Sequence, residues 1–239
     1  MSMKLLLFRA FDRTIGQILR ASEASLKNPR PNLIDLVYED SMKTSLDYVK
    51  EYLSGVFICS SRESLWDYCC EYLSKSPSKL VVMEFGVHSG ESINYIAKKL
   101  PNAEVFGFDS FLGLQENWFI SSAKAGALNL DGTAPKVQKN VRLFTGWFDE
   151  TLPKFISNYP DLKINFLHID SDTYLPAKLI LSSLESNIIK GTIIVFDEFF
   201  GYPNWQWHEF KAFEEFTKKH NLKYQAICYS SNQVAFEIK

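Results

Sequence analysis

The 239-residue sequence predicts an α/β protein with a doubly wound, mostly parallel sheet of seven strands. The first observation behind this prediction is that, after Pro77, short apolar runs alternate with amphipathic runs of helical length. Strands that alternate with helices form a parallel sheet with helices on both faces. The second observation is that the short link "SN" joins the last two apolar runs and leaves no room for a crossover helix. These two strands are therefore expected to form a C-terminal antiparallel hairpin.

The elements follow one another in a regular order after Pro77. The predicted strands are 79–85, 104–109, 140–146, 164–170, 192–197, 223–230 and 233–239. The predicted helices are 91–100, 148–159, 174–187 and 207–220. Pro101 ends the first of these helices, because proline cannot continue a helix.

Residues 1–75 are expected to form an N-terminal helical extension, a lid or a dimerisation element, and residues 76–239 the main domain. Within the extension, Ser61 is the expected N-cap of a helix. Residues 8–20 place apolar side chains at helical spacing, which fits a membrane-surface helix or, as we favour, a helix packed on its own domain or a dimer partner. The apolar run before Arg9 is four residues long, too short for a signal peptide or a membrane span.

The composition argues against one class of partner and indicates a compartment. The chain has 26 basic and 28 acidic residues, and this balance gives no electrostatic basis for binding nucleic acid. None of the four cysteines forms a CxxC pair with another. We interpret them as reduced thiols in the core, which predicts a cytoplasmic protein.

Polar residues mark the points where the first two predicted strands end. Glu84 and Gly86 end the first strand, and Gly90 opens the helix that follows it. Asp109 ends the second strand, nineteen residues beyond Gly90, where an acid can accept hydrogen bonds from two ribose hydroxyls. The dinucleotide fingerprint G-x-G-x-x-G is absent. A ribose, an adenine and a cationic amino-acid tail near Glu84 together describe S-adenosylmethionine.

Five stretches carry a resemblance to a known family: "EFGVHSGESINYIA", "FGFDSFLGLQENW", "VRLFTGWFDETLP", "LHIDSDTYLPAKLIL" and "GTIIVFDEFFGYPNWQWHEFKAF". Over residues 78–238 the chain resembles the class I S-adenosylmethionine-dependent methyltransferases, which have a Rossmann-like sheet. More narrowly, it resembles the macrocin O-methyltransferase family, which methylates sugar hydroxyls with the help of a metal ion. The resemblance implies that Glu84, Gly86 and Gly90 line the methionine end of the cofactor, that Asp109 and Ser110 hold its ribose, and that Gly146 and Trp147 border its adenine.

Acidic residues mark the ends of the fourth and fifth strands of the predicted parallel sheet. Asp170 and Asp172 follow the fourth strand, and Asp197 and Glu198 end the fifth. Neighbouring carboxylates repel one another unless a cation lies between them, and their oxygens suit Mg²⁺ or another divalent ion. We expect Asp170, Asp197 and Glu198 to bind the metal. Asp172 fits better as the N-cap of the next helix, and Glu198 departs from the Asp or Asn usual in the family.

Two residues are candidates for the base that takes a proton from the acceptor hydroxyl. Asp170 could act from within the metal site, and His208 lies in the aromatic stretch beyond the fifth strand. The aromatic side chains of that stretch could stack on a sugar ring or pack as a lid; we favour substrate contact. These are Phe199, Phe200, Tyr202, Trp205 and Trp207.

The function predicted from these residues is metal-dependent transfer of a methyl group from S-adenosylmethionine to a sugar hydroxyl of a glycan or a glycosylated metabolite. One alternative is an enzyme of the same fold that methylates a phenol or another small acceptor. Another is a non-catalytic protein that binds S-adenosylmethionine, although such a protein needs no carboxylate cluster. The expected partner is a small-molecule or glycan substrate, and the N-terminal helices are compatible with a homodimer.

Overall fold

The computed structural model describes residues 32–75, 79–116 and 124–239, and the amphipathic stretch 8–20 lies outside them. The chain separates into two compact units with a boundary between Asp40 and Ser41, and the site described below lies in the second unit. The division into 1–75 and 76–239 stays a prediction. Among the described residues, no helix combines the length and the apolar character needed to cross a bilayer.

The described part of the chain contains six α-helices and eight strands. The helices are α1 (Leu33–Tyr52), α2 (Arg62–Ser74), α3 (Glu91–Lys99), α4 (Phe148–Asn158), α5 (Tyr174–Ser183) and α6 (Glu209–His220), and a 3-10 turn covers Trp205–Trp207. The strands are β1 (Phe57–Ile58), β2 (Val81–Phe85), β3 (Glu104–Asp109), β4 (Val141–Thr145), β5 (Ile164–Ile169), β6 (Ile188–Phe196), β7 (Tyr224–Tyr229) and β8 (Val234–Ile238). Helix α2 begins as predicted, because Ser61 and Ser64 each accept a hydrogen bond from the other's backbone amide.

The strands form one sheet with the order β1-β7-β8-β6-β5-β2-β3-β4. Strand β8 is antiparallel to both β6 and β7, which confirms the C-terminal hairpin, and the other pairs are parallel. The prediction of seven strands was wrong by one, because Phe57–Ile58 pairs with β7 and adds an eighth. A strand of two residues is too short to show an alternation of apolar and polar residues, so no periodic pattern predicted it.

The parallel strands end side by side at one edge of the sheet, and their hydrogen bonding continues one residue past each strand. The amide of Gly86 donates to Phe108 O at 3.0 Å, and the amide of Asp170 donates to Phe85 O at 2.9 Å. The amide of Asp197 donates to Ile169 O at 3.0 Å. The residues that follow β2, β5 and β6 therefore lie next to one another, as the sequence predicted for the polar residues at these ends.

The two faces of the sheet bury different sets of side chains, because successive residues of a strand point to opposite faces. Phe85 and Phe196 belong to one apolar cluster, and Val82 and Val195 to the other. Glu84 is two residues from Val82 and so faces the second cluster, as does His168, which is its register partner on β5. A charged residue on a buried face needs a partner there, and Glu84 and His168 lie opposite each other on neighbouring strands.

Candidate active site

A cavity of about 550 Å³ lies at the edge where the parallel strands end, within the range of roughly 300–1,000 Å³ typical of small-molecule sites. Most of the predicted site residues line it: Gly86, Asp109, Ser110, Trp147, Asp170, Asp197 and Glu198. The other predicted site residues are not among the described residues that line it: Glu84, Gly90, Gly146 and His208. The cavity therefore combines residues predicted for the cofactor with residues predicted for the metal.

Gly86 lies where the turn after β2 meets the backbone of Asp170. Its φ is +95°, and a Cβ at this position would lie 1.8 Å from the carbonyl oxygen of Asp170. No residue other than glycine fits this contact without a backbone shift. The turn after β2 is thus packed directly on the backbone that carries Asp170.

The other two predicted glycines have positive φ angles but lie away from the cavity lining. Gly90 is the N-cap of α3 with a φ of +81°, and a Cβ there would meet Asn94 Nδ2 and Pro135 Cγ at 3.1 Å. Gly146 has a φ of +138°, and a Cβ there would lie 3.1 Å from Thr151 Cγ2. Both glycines shape the turns that border the cavity.

Asp109 holds two loops of the cavity through its carboxylate. Its Oδ2 accepts a hydrogen bond from the amide of His88, and its Oδ1 accepts one from the amide of Phe111, both at 2.7 Å. His88 and Phe111 have φ angles of 45° and 57°, a strained region for residues other than glycine, which these bonds help to stabilise. Each carboxylate oxygen can accept a further bond, so binding of ribose hydroxyls by Asp109 is compatible with this role. Ser110 Oγ accepts a hydrogen bond from the amide of Leu112 at 3.1 Å.

Glu84 is fully buried and forms a charged pair with His168 beneath the site. Its Oε2 lies 2.9 Å from His168 Nδ1, and its Oε1 accepts a hydrogen bond from Ser92 Oγ at 2.9 Å. His168 Nε2 lies 3.7 Å from Asp197 Oδ1, an ion-pair distance rather than a hydrogen bond. Burial alone would lower the pKa of His168, but the carboxylates of Asp197 and Glu84 outweigh it and raise the pKa to about 10. The imidazolium thus links strand β2 to the loop after β6.

Three carboxylates converge in the cavity, and one of them was not predicted to do so. Asp170, Asp172 and Glu198 each offer an oxygen within 4.8 Å of the others. The interpretation of Asp172 as a helix cap was wrong, because Thr173 is the N-cap of α5. Asp172 has a φ of 62° and lines the cavity. Asp197 also lines it, although its Oδ1 accepts a hydrogen bond from Gln233 Nε2 at 3.3 Å.

The electrostatics of this acidic cluster disfavour full ionisation in the absence of a cation. Burial, followed by the charge of Asp197, raises the pKa of Asp170 well above its usual range. Burial and the charges of Asp197 and Asp109 raise the pKa of Asp172 to about 7. Burial and the charge of Asp170 raise the pKa of Glu198 as well. Glu198 Oε2 is buried and has no hydrogen-bond partner, so this oxygen is available to a ligand.

Sequence reasoning missed Glu209, which is buried beside the cluster. Its two carboxylate oxygens accept hydrogen bonds from the amides of Ser171 and Glu198, each at 3.1 Å. Burial raises the pKa of Glu209 well above its usual range, and these two hydrogen bonds oppose that shift. The helical spacing did indicate that Glu209 would be buried. It occupies the first position of the buried stripe of α6, which continues at Ala212 and Phe213.

His208 is placed outside the cavity lining, in contrast to Asp170. Its side chain is largely buried, its ring centroid lies 6.0 Å from that of Tyr202, and its Nδ1 has no hydrogen-bond partner. Burial lowers the pKa of His208, which favours a neutral ring at neutral pH. The structure therefore brings one of the two candidate bases, Asp170, into the cavity.

The aromatic stretch after β6 packs inward rather than facing a substrate. Four of its five aromatic side chains are buried, at 6 % exposure or less: Phe199, Phe200, Tyr202 and Trp205. Tyr48 of α1 packs against Phe199 and Trp205, with ring centroids 6.0 and 5.6 Å away. The expectation that this loop contacts the substrate was wrong for these four residues, because a helix covers the loop. Trp207 is 63 % exposed but is not among the residues that line the cavity.

Comparisons with known proteins agree with this arrangement. Residues 83–199 match the model of a family described as a methyltransferase domain. No curated protein sequence matches the chain. Among solved structures the chain is similar to CalS11, a calicheamicin methyltransferase, with a TM-score of 0.59 and 19% identity over 92% of this chain and 90% of that one.

Two further solved structures show the same likeness. The O-methyltransferase NovP has a TM-score of 0.55 and 20% identity over 74% of this chain and 78% of that one. An apo structure of CalS11, there described as a TDP-rhamnose 3'-O-methyltransferase, has a TM-score of 0.52 and 19% identity over 87% of this chain and 96% of that one. At these identities the similarity establishes a shared Rossmann-like fold, and function has to be argued from the site.

Proposed function

We propose that this chain, whose residues 83–199 match the model of a methyltransferase domain, transfers a methyl group from S-adenosylmethionine to a sugar hydroxyl with the help of a divalent cation. The acceptor would be a sugar of a glycan or of a glycosylated metabolite. The observation that carries the proposal is one cavity lined both by Asp109 and Ser110, suited to a ribose, and by the acidic residues Asp170, Asp172 and Glu198.

The cofactor half of the cavity fits a nucleoside with a cationic tail. Asp109 lies at the end of β3 and lines the cavity, as does Trp147, and we assign the ribose to Asp109 and the adenine to Trp147. S-adenosylmethionine supplies an electrophilic methyl group on a positively charged sulfur. Gly86 allows the backbone after β2 to lie against that after β5, which brings the cofactor half next to the acidic half.

The acidic half fits a hard divalent cation such as Mg²⁺. Asp170, Asp172 and Glu198 converge, and the partnerless Oε2 of Glu198 is the kind of oxygen that a cation would take. Asp197, predicted as a ligand, lines the same cavity. A divalent cation supplies positive charge that offsets the negative charge growing on an acceptor oxygen.

The proposed reaction needs one base from the chain. The bond that forms joins the acceptor oxygen to the methyl carbon, the bond that breaks is the carbon–sulfur bond, and the hydroxyl proton passes to the base. We assign this base to Asp170, because it lines the cavity that would hold the acceptor, whereas His208 is not among the described residues that line it. His208 is the second candidate, and Asp170→Asn should therefore lower turnover far more than His208→Gln.

The description of one structural neighbour, CalS11, supports a sugar acceptor, and that of NovP supports O-methylation. CalS11 is described as a TDP-rhamnose 3'-O-methyltransferase, and NovP as an O-methyltransferase. A phenol or another small acceptor remains the alternative for the same site. The four free, buried cysteines support a cytoplasmic location, and a homodimer stays a prediction that light scattering would test.

Methyl transfer measured by mass would test the proposal. The full-length protein would be incubated with S-adenosylmethionine, Mg²⁺ and a panel of nucleotide sugars, glycosides and phenols, before and after chelation and again after Mg²⁺ is restored. Transfer to a sugar that stops on chelation and returns with Mg²⁺ is the expected result. Transfer to phenols alone would select the alternative acceptor, and full activity in the chelated protein would exclude the metal. Binding of S-adenosylmethionine without transfer to any acceptor would indicate a non-catalytic protein.

A further inference from the structure

The side chain of Glu209 joins two neighbouring loops beyond the last hydrogen bond of the sheet between them, which runs from the amide of Asp197 to Ile169 O. One loop follows β5 and carries Asp170 and Asp172, and the other follows β6 and carries Glu198. Glu209 is fully buried at the start of α6, with 0% of its surface exposed. The N-cap of α6 is His208, which makes no side-chain capping bond, and the carboxylate of Glu209 reaches both loops.

We propose that Glu209 is a positioning residue that fixes these two loops relative to each other, so that the carboxylates of Asp170, Asp172 and Glu198 converge on one cation. This inference rests on the proposed function, because it assigns the means by which that acidic site is assembled. Glu209 itself is not assigned as a ligand of the cation.

The hydrogen bonds of Glu209 are divided between the loops, one oxygen to each. Oε1 accepts from the amide of Ser171 at 3.1 Å, and Ser171 Oγ lies 3.4 Å from the same oxygen. Oε2 accepts from the amide of Glu198 at 3.1 Å. Ser171 lies between two residues of the acidic cluster and Glu198 is the third, so Glu209 anchors the backbone at the points from which these carboxylates project.

A carboxylate is the group that suits this task. In its ionised form, which hydrogen bonds from backbone amides favour, it offers two acceptor oxygens and no donor, whereas an amide side chain would turn an N–H group towards one of the two backbone amides. Hydrogen bonds to an ionised acceptor are also stronger than those between neutral groups. An additional buried acid close to three others is electrostatically unfavourable, and the hydrogen bonds from the two loop amides offset part of that cost.

The test compares two variants of Glu209 with a matched control on the same helix. Glu209→Gln keeps the size of the side chain and loses one acceptor, and Glu209→Asp keeps both acceptors on a shorter side chain. Glu215→Gln is the control, because Glu215 is an exposed acid of α6 that accepts a hydrogen bond from Tyr174 OH on α5 at 2.6 Å. The measurements are Mg²⁺ affinity and S-adenosylmethionine affinity by calorimetry, and amide hydrogen exchange in the full-length protein without substrate.

Glu209→Gln is expected to weaken Mg²⁺ binding by about 10–100-fold, the range for residues that orient metal ligands. Its affinity for S-adenosylmethionine should change by less than about threefold, and Glu209→Asp should recover part of the Mg²⁺ affinity. At least one of the amides of Ser171 and Glu198 should exchange at least about tenfold faster in Glu209→Gln, since the variant keeps one acceptor oxygen for these two donors. Glu215→Gln should match the wild type in all three measurements.

The outcomes separate this inference from the function on which it rests. A wild type that binds Mg²⁺ and a Glu209→Gln variant that binds it equally well would overturn the positioning role. Unchanged exchange at Ser171 and Glu198 in that variant would overturn it too. A wild type that binds no Mg²⁺ would remove the metal from the proposed function, and the exchange rates alone would then decide whether Glu209 fixes the loops.

Discussion

The Cβ that Gly86 lacks would lie 1.8 Å from the carbonyl oxygen of Asp170. This contact packs the turn after β2 directly against the loop after β5, which carries Asp170. Gly86→Ala should therefore destabilise the protein by about 2–4 kcal/mol, from overpacking together with the strain of a positive φ. Denaturant unfolding would measure this loss, and S-adenosylmethionine affinity measured below the transition should also fall.

Gly55→Ala is the matched control for this prediction. Gly55 has a φ of +81°, close to that of Gly86, but a Cβ there would meet nothing within 4 Å. Its replacement should cost only the backbone strain, about 1 kcal/mol. Equal losses in the two variants would mean that the contact between Gly86 and Asp170 does not constrain the fold.

Asp109→Asn should weaken binding of S-adenosylmethionine by about 10–100-fold, as expected when hydrogen bonds to a charged group are lost. The amide of the variant would also face its N–H towards the backbone amide of His88 or Phe111, each of which now donates to Asp109. Calorimetry would measure the affinity, with Asp149→Asn as the control.

Asp149 is an exposed acid in the first turn of α4 and does not line the cavity. If both variants bound the cofactor like the wild type, Asp109 would have no role in holding the ribose.

Glu84→Gln distinguishes a cofactor residue from a structural one. Glu84 is buried against His168 and does not line the cavity among the described residues, so the substitution should leave an imidazolium without its nearest counter-charge. The expected loss of unfolding free energy is about 3–5 kcal/mol, as when one partner of a buried ion pair is removed. Calorimetry on the folded variant should show a change in S-adenosylmethionine affinity of less than about threefold. A stable variant with a large loss of affinity would instead place Glu84 at the methionine end of the cofactor.

Much of the fold could be predicted because its signals are local. The seven longer strands have an apolar pattern, and the helix after Ser61 has a capping sequence that the structure reproduces. The convergence of the residues that follow β2, β5 and β6 could also be predicted, since the ends of parallel strands share an edge. Strand β1 was missed because Phe57–Ile58 owes its conformation to pairing with β7 and not to its own sequence.

The site was harder to predict where its geometry depends on contacts between distant segments. Asp172 looked like a helix cap, but the chain takes a left-handed conformation at this residue and Thr173 takes the N-cap position. The aromatic stretch looked like a surface loop, but Tyr48 of α1 packs over it. Glu209 bonds to amides 38 and 11 residues away. No local pattern specifies such partners, so they became visible only with the structure.

The raised pKa of Asp172 predicts how the stability of the metal-free protein depends on pH. Burial and the charges of Asp197 and Asp109 raise this pKa to about 7, whereas an unfolded chain has a value of about 3.9. A carboxyl group whose folded pKa is raised binds its proton more tightly in the folded state. Its contribution to stability is therefore fully present below pH ~4 and is lost as the pH rises through about 7.

Melting temperatures of the chelated protein at pH 5 and pH 8 would test this dependence. We expect a lower value at pH 8, and Asp170 and Glu198, whose pKa values are also raised, should act in the same direction. Added Mg²⁺ should raise the melting temperature more at pH 8 than at pH 5, because a cation binds the ionised carboxylates and stabilises the folded state that holds them. Asp172→Asn should reduce both the pH dependence and the Mg²⁺ effect. An equal Mg²⁺ effect at the two pH values would show that the ion does not bind at these carboxylates.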